Sequence, residues 1–528
     1  MRSDSQRIRR GRPSAAGNAA ISLISAVVPA LVALFVIPML LRTIGAELFG
    51  LLAFVWIVFG TFAVLDFGTG RATTKYVAEF LSRERTAAIP ALFWSACAIN
   101  LVVGSFCGVL LYALAPWLTA HVVKVPAALQ PTCVLALRIT ACALPWIVLG
   151  GVFRSALEGL QRFDLSNAVQ LPVGALNYVV PLIVARAGGT LPWVVGALCL
   201  TRISAVPALF LLCRRQLPQL GRPGIERRQL RRLASFGGWL TVSNVAGPIL
   251  LSFDRLFVGS VLGARALGLY APIYELVTRL SLVPASVMAA LFPSFSTFRN
   301  RTADEIWWAM RRAQRLLALL MLPMMILGVS LAPIILEVWL GTAQAPSSIA
   351  AMQLLMIGLV ALSVGAVPFT LVQALGEPRR SALIHVIELP IHAALTWWAV
   401  TRFGVMGAAA AWSLRALYDA ALFDLAVARM IGRRTDAVDA SFRTTASLTA
   451  CAAILSAIVA LAEIPPAALA LAGILALSIV LVVAWRLALE TAERQALLSG
   501  LRRIPLVGRR GGRGEPVSQP VGNQAERP

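Results

Sequence analysis

Charge is scarce in this chain. Asp, Glu, Lys and Arg make up 13% of its 528 residues, against the ~25% of a soluble domain. The acidic side is thinnest, with 24 Asp and Glu, and there are three His. So few water-seeking groups cannot clothe a folded surface of this size, so the principal solvent must be lipid. Catalytic signatures are missing too: there is no GxSxG, P-loop, HExxH or nucleotide-binding fingerprint. Residues 214–234, the longest stretch expected on the inner side, are too short and too basic for the acidic metal-binding pair of a glycosyltransferase. No enzyme activity and no cofactor is expected. Cys97, Cys107, Cys133, Cys142, Cys199, Cys213 and Cys451 form no CxxC or Cys/His cluster and lie in or beside apolar runs. They read as small buried hydrophobes, and no metal site is expected.

What is present is apolar length. Hydrophobic residues reach 59%, and runs long enough to cross a bilayer as a helix, about 20 residues, recur about fourteen times. The spans are expected near 17–41, 49–70, 88–115, 132–152, 167–186, 191–213, 236–262, 266–292, 314–340, 349–372, 381–401, 404–428, 444–462 and 467–488. The net charge of +23 would point to nucleic acid in a soluble protein, but here the cations sit in short loops without interleaved exposed aromatics. They read as topology signals and contacts to anionic lipids; nucleic acid is not an expected partner. Arg71, Lys75, Arg83 and Arg85, then Arg154 and Arg162, then the seven arginines of 214–232, and so on to Arg443, fall in alternate loops. The intervening loops hold little beyond Arg42, Lys124, Arg186, Arg265 and Arg402. By the positive-inside rule both termini face the cytoplasm. The first apolar stretch, Ala15 to Leu41, is too long for a cleaved signal and reads as a retained span.

Two pairs of segments resemble each other at one spacing. Ile44-Gly45-Ala46-Glu47-Leu48-Phe49-Gly50-Leu51 matches the segment Leu262-Gly263-Ala264-Arg265-Ala266-Leu267-Gly268-Leu269, 218 positions later. Leu157-Glu158-Gly159-Leu160-Gln161-Arg162 matches Ala374-Leu375-Gly376-Glu377-Pro378-Arg379, aligning Gly159 with Gly376 at an offset of 217. A duplicated six-helix unit follows. Six is even, so both copies share one orientation, and in transporters built this way substrate sits between the halves. The expected architecture is an all-α polytopic membrane protein: two pseudo-symmetric six-helix bundles plus two C-terminal helices. Its parts are a basic N-terminus (1–16), a first bundle (17–213), a basic linker (214–235), a second bundle (236–430), an accessory helix pair (431–488) and a disordered basic tail (489–528).

A charge at mid-bilayer costs at least about 2.5–3.5 kcal/mol, so each needs a partner or a hydrated cavity. Glu275 with Arg279, and Arg415 with Asp419, are spaced to pair within one helix. Arg138, Arg202 and Arg255 have no such neighbour, nor do Asp66, Asp254 and Asp424. Adjacent Asp254 and Arg255 are expected to point apart. Arginines at membrane depth suit an anionic guest, because the guanidinium fork matches phosphate. Arg71, Arg138, Arg202, Arg255, Arg279 and Arg415 are the candidate substrate-binding cations. Asp66, Asp254, Glu275 and the helical stripe His385, Glu388 and His392 are the candidates for coupling an ion.

The stretch LLRTIGAELFGLLAFVWIVFGTFAVLDFGTGRATTKYVAEF resembles the opening of polysaccharide-biosynthesis membrane proteins, the O-antigen and teichoic-acid flippases. LEGLQRFDL, FGGWLTVSNVAGPILLSFDRLFVGSVLG, GLYAPIYELVTRLSLVPASV and QALGEPRRSALIHV resemble its later segments, so the likeness extends over residues 17–430. It implies the multidrug/oligosaccharidyl-lipid/polysaccharide exporter fold, a bacterial inner-membrane location and an undecaprenyl-pyrophosphate-linked oligosaccharide substrate. It also implies a cationic cavity lined by the first, second, seventh and eighth spans, to which Arg71, Arg255 and Arg279 are nearest. The expected function is flipping that lipid-linked oligosaccharide from the inner to the outer leaflet by alternating access, alongside other polysaccharide-assembly membrane proteins. The alternative is a cation or drug antiporter of the same fold, which would want acidic residues to dominate the cavity.

Overall fold

The computed structural model describes residues 15–64, 68–83, 85–221, 224–233, 247, 249–296, 298, 301–341, 345–433, 466–483 and 486. Among these the protein is all helix, as lipid demands: with no water to bond exposed N–H and C=O groups, the backbone must satisfy itself within each span. Nine helical stretches among the described residues are long and apolar enough to cross a membrane. Their outer faces carry bare hydrophobes such as Phe35, Val102 and Trp193, each about seven-tenths exposed. Water would not tolerate such a surface, but acyl chains do.

The first bundle comprises α1 (Ala15–Val64), α2 (Thr69–Ser82), α3 (Ile89–Trp117), α4 (Gln130–Gly159), α5 (Phe163–Arg186) and α6 (Leu191–Gln216). Helix α1 bends at Gly45 (φ 79°) and so carries the first two expected spans. The second expected span, drawn to residue 70, is cut short, because left-handed Gly68 starts a new helix there. That helix, α2, is amphipathic: Ala72, Thr73, Tyr76, Val77, Phe80 and Leu81 are buried, whereas Arg71 and Lys75 are exposed. Its apolar face closes a satellite core with α3, α4 and α6, in which Phe93 and Phe153 stack with ring centroids 5.5 Å apart.

The second bundle comprises α7 (Phe253–Phe257), which continues as a π turn over Val258–Leu262, then α8 (Ala264–Arg279), α9 (Leu282–Ser296), α10 (Ala303–Ser330), α11 (Ala332–Leu340), α12 (Pro346–Ala374) and α13 (Pro378–Met430). Helix α13 bends at Gly404 (φ 61°) and carries two spans. The expected eighth span is two helices, interrupted at Leu280 and Ser281. The expected ninth begins eleven residues early, at Ala303, because Thr302 and Glu305 form a capping box that satisfies orphan N–H groups at the helix start. Arg311 and Arg315 are therefore buried in a helix. Helix α14 (Pro466–Val483) lies against α10 where Gly473 faces Ser330. The thirteenth expected span and both terminal segments lie outside the described residues. Of the described cysteines, Cys142 departs from expectation by being exposed.

The duplication is legible in the backbone. Left-handed positions recur in pairs: Gly45 and Gly263, Lys124 and Gly341, Gln161 and Gly376, Gly188 and Gly404, all 215–218 positions apart. The last turns of α4 and α12 share one hydrogen-bond pattern. Arg162 N–H reaches Leu157 O at 2.9 Å, and Glu377 N–H reaches Val372 O at 3.2 Å. This registers Gln161 on Gly376 and corrects the sequence pairing of Gly159 with Gly376 by two residues. The backbone turn is what repeats; the glycine letter misled.

Across the pseudo-axis, α1 and α8 cross at repeat-related small residues. A Cβ on Gly50 would strike the Ala264 carbonyl, and one on Gly268 would strike the Ala46 carbonyl. Two cations of the first bundle flank this crossing and cap helix ends of the second. Arg42 donates to Leu340 O and Trp339 O, each at 3.2 Å, and Lys124 donates to Val261 O at 3.0 Å. A cation near a helix C-terminus meets unsatisfied carbonyls and the negative dipole end. Together they form a seam that joins the halves at the Gly45/Gly263 end. Gly50→Ala should destabilise the protein by about 1–3 kcal/mol through overpacking, read as a lower unfolding temperature in detergent. Gly196→Ala, with nothing within 4 Å of the added methyl, should be neutral or stabilising. Equal stability of the two variants would mean that the helices do not touch at Gly50.

Candidate functional site

A chamber of about 1070 Å³ lies between the bundles. Five cations line it: Arg71 and Lys75 from the start of α2, Arg154 from the last turns of α4, Arg202 from α6 and Arg279 from the end of α8. Glu158 is the one carboxylate among the lining residues described. No residue of the Arg42/Lys124 seam lines it. Asn177 and Tyr178 of α5 supply neutral polar groups, and Phe369, Gln373 and His385 complete the side formed by the second bundle.

Each cation is held differently. Arg279 donates to Glu275 at 2.9 Å and to the Tyr178 hydroxyl, so one carboxylate behind the wall orients it. Arg154 pairs with Glu158 at 2.8 Å one turn along α4; both are partly exposed, and such a pair is worth little. Arg202 donates to Asn177 Oδ1 at 2.9 Å, lies 4.5 Å over the Phe59 ring and forms no ion pair with a described residue. Lys75 lies 5.5 Å from the Tyr76 ring centroid. The wall thus offers Arg202 oriented but electrically uncompensated, and Arg279 oriented by a carboxylate and a phenol. An anion entering a partly desolvated chamber would receive charge-assisted hydrogen bonds without first breaking strong ones.

Of the six arginines singled out from sequence, the structure brings Arg71, Arg202 and Arg279 to this wall and leaves Arg138, Arg255 and Arg415 off it. Arg138 stacks over Tyr112 at 4.7 Å. Arg255 lies 4.1 Å over the Tyr274 ring and 3.9 Å from both Asp254 and Glu275. Adjacent Asp254 and Arg255 therefore do approach, against expectation, because a long guanidinium stem can curl back where a helix face cannot. Asp254 also accepts from the Tyr270 hydroxyl at 2.8 Å. Asp424, which has no oppositely charged neighbour one turn away on its own helix, binds Arg311 at 2.6 Å and Gln314 at 2.8 Å, and the early start of α10 is what places Arg311 within a helix. Asp66 lies outside the described residues. Lys75 and Arg154 were missed: both read as topology charges, yet the Arg71/Lys75 spacing of four on an amphipathic helix could have flagged them.

A second cluster abuts the chamber. His385 Nε2 is 3.8 Å from Asp419, Glu388 is 3.9 Å from Arg415, and donor atoms of His385, Glu388 and Asp419 lie within 4.8 Å of one another. Glu388 is fully buried, and neither of its carboxylate oxygens has a hydrogen-bond partner among the described residues. The expected Arg415–Asp419 pair gives way to this arrangement across the bend of α13. Two carboxylates against one guanidinium leave room for one more positive charge. His392, on the same stripe, instead packs near Phe253 at 6.0 Å and bonds Thr396.

Comparison with known proteins follows this geometry. The family model for polysaccharide biosynthesis proteins matches residues 39–348. A Shigella flexneri protein assigned as an O-antigen transporter is 27% identical over 78% of this chain and 97% of its own length. The membrane protein EpsK of Bacillus subtilis strain 168 is 22% identical over 75% and 79%. Among solved structures, an inward-facing multidrug resistance MATE family transporter of the MOP superfamily superposes with a TM-score of 0.63 at 14% identity, over 78% of this chain and 98% of that one. A MOP superfamily transporter from Pyrococcus furiosus, reported with a binding pocket of reverse polarity, gives 0.56 at 16% identity, over 78% and 94%. The fold is therefore that of this transporter group.

The chamber should bind inorganic pyrophosphate in a salt-sensitive way. Arg202→Gln should weaken binding about tenfold or more, since a charge-assisted hydrogen bond contributes ~1.5–3 kcal/mol. Arg138→Gln should leave it within about twofold. Calorimetric titration of the detergent-solubilised protein checks both; equal effects of the two variants would mean that the wall cations do not recognise phosphate.

Proposed function

The chain belongs to the polysaccharide biosynthesis protein family, and from that premise we propose that it flips an undecaprenyl-pyrophosphate-linked oligosaccharide from the inner to the outer leaflet. Family, relatives and fold support the coarser statement, a multi-pass membrane transporter. The observation that carries the finer one is the sign of the chamber: five cations against one carboxylate among the described lining residues. Arginine forks bind phosphate oxygens with matched geometry. A chamber of about 1070 Å³ exceeds the ~300–1,000 Å³ of common small-ligand pockets, which suits a pyrophosphate with attached sugars while the lipid tail stays in the bilayer.

On this reading the chain sits in a bacterial inner membrane with both termini cytoplasmic, and the chamber opens to the cytoplasm. Arg71, Lys75 and Arg154 stand at the Arg-rich ends of their helices, Arg202 and Arg279 lie deeper, and the Arg42/Lys124 seam closes the other end. Rocking the halves would open that seam and close the cationic end, carrying the pyrophosphate across. The His385–Glu388–Asp419 cluster, reached through His385 on the chamber wall, takes the coupling cation. Asp254 and Glu275 serve instead as counter-charges for Arg255 and Arg279. A drug or cation antiporter fits less well, because a cationic guest would meet mostly cations.

Loss of the gene should abolish surface polysaccharide and accumulate lipid-linked repeat units facing the cytoplasm. The wild-type gene should restore export, and Arg202→Ala with Arg279→Ala should not; drug resistance should be unchanged on overexpression. Full rescue by the double variant would sink the proposal. In proteoliposomes, Glu388→Gln with Asp419→Asn should make flipping insensitive to an imposed proton or sodium gradient. A flipping rate that still follows the gradient would place coupling elsewhere.

A further inference from the structure

A second hollow, about 330 Å³, lies where the end of α2 meets the linker helix at 227–233. Its lining is Glu79, Phe80, Arg83, Arg85, Arg228 and Arg232. Among the described lining residues four guanidinium groups face one carboxylate, and none of them lines the chamber.

The arrangement is built rather than scattered. Glu79 holds Arg232 at 3.0 Å and Arg83 at 3.4 Å. Arg232 is further fixed over the rings of Tyr76 at 4.0 Å and Phe80 at 5.0 Å, so its planar fork is set before any ligand arrives. Arg85 and Arg228 form no ion pair with a described residue. A positive-inside signal needs only cations in a loop, of either kind and in any arrangement. Here all four are arginine, and they converge on a cavity with an aromatic floor. Arginine is the residue suited to bidentate phosphate binding, and basic pockets between transmembrane helices on the cytoplasmic side take lipid headgroups.

Position favours a membrane lipid as the source. Arg71, Lys75, Glu79 and Arg83 recur every four residues along α2, and the first two line the chamber. At a rise of ~1.5 Å per residue, Arg83 stands only about 12 Å beyond Lys75. The hollow therefore lies just beyond the Arg71/Lys75 side of the chamber, at the end of α2 where the positive-inside pattern places the lipid headgroups. It also bridges the first bundle and the linker to the second, so an occupant would neutralise repulsion across that junction.

We propose that this hollow is a phosphate site occupied by an anionic phospholipid headgroup, which fastens the linker onto α2. It is independent of the flipping reading, since neither Arg85 nor Arg228 lines the chamber. The protein is reconstituted in nanodiscs of phosphatidylcholine, with and without phosphatidylglycerol, and its thermal unfolding and retained lipid are measured. Phosphatidylglycerol should raise the unfolding temperature of wild type, and Arg85→Gln with Arg228→Gln should abolish that shift and lower phosphatidylglycerol affinity tenfold or more. The same variant should unfold like wild type in phosphatidylcholine alone. Arg214→Gln with Arg215→Gln, on exposed arginines that do not line the hollow, should keep the full shift. An equal loss with this control pair would reduce the effect to general surface charge and overturn the site. A shift reproduced by inorganic phosphate in phosphatidylcholine discs would overturn the lipid source in favour of a soluble one. No difference between wild type and the Arg85/Arg228 variant would overturn the proposal outright.

Discussion

A charge carried into hydrocarbon must find a partner or a hydrated space, and most of this structure can be read as answers to that requirement. Arg311 answers with Asp424 and Gln314. Arg255 answers with Asp254, Glu275 and the face of Tyr274. Arg202 answers with an asparagine and a phenyl ring, which orient a guanidinium without neutralising it. The cationic hollow at this depth is what the proposed anionic guest would complete.

The duplication has been put to different uses in its two copies. Backbone turns repeat faithfully, down to the left-handed residue that ends α4 in one half and α12 in the other. Side-chain charge does not repeat. Four of the five chamber cations belong to the first bundle, whereas the carboxylate–imidazole cluster belongs to the second. Even the seam is unequal, for the first bundle supplies both cations and the second both sets of carbonyls. A shared scaffold thus holds a cation-lined half against one carrying a carboxylate–imidazole cluster, the division that the proposed coupling of an anionic cargo to a cation would use.

Legibility of the site followed helical spacing. Glu275 and Arg279 were readable as a pair because four residues bring them onto one face. Arg415 was misassigned to Asp419 by the same rule, since its recorded ion pair is Glu388, twenty-seven positions away across the bend of α13. Lys75 and Arg154 were read as loop charges because hydropathy marks where spans end but not which way an amphipathic turn faces. Asp424 shows no partner at helical spacing because its ion pair, Arg311, comes from α10, whose start depends on the Thr302 cap.

The sequence by itself determined the solvent, the helical class, the number and order of most spans, and the doubling of the chain. These follow from local quantities, namely apolar run length, loop charge and short repeated turns, which lipid reads directly. Only the tertiary structure decided which arginines face the chamber, which are neutralised, and how the halves meet at Gly50 and Gly268. Those outcomes depend on approaches between residues far apart in the chain, and neither hydropathy nor helical period carries information about them.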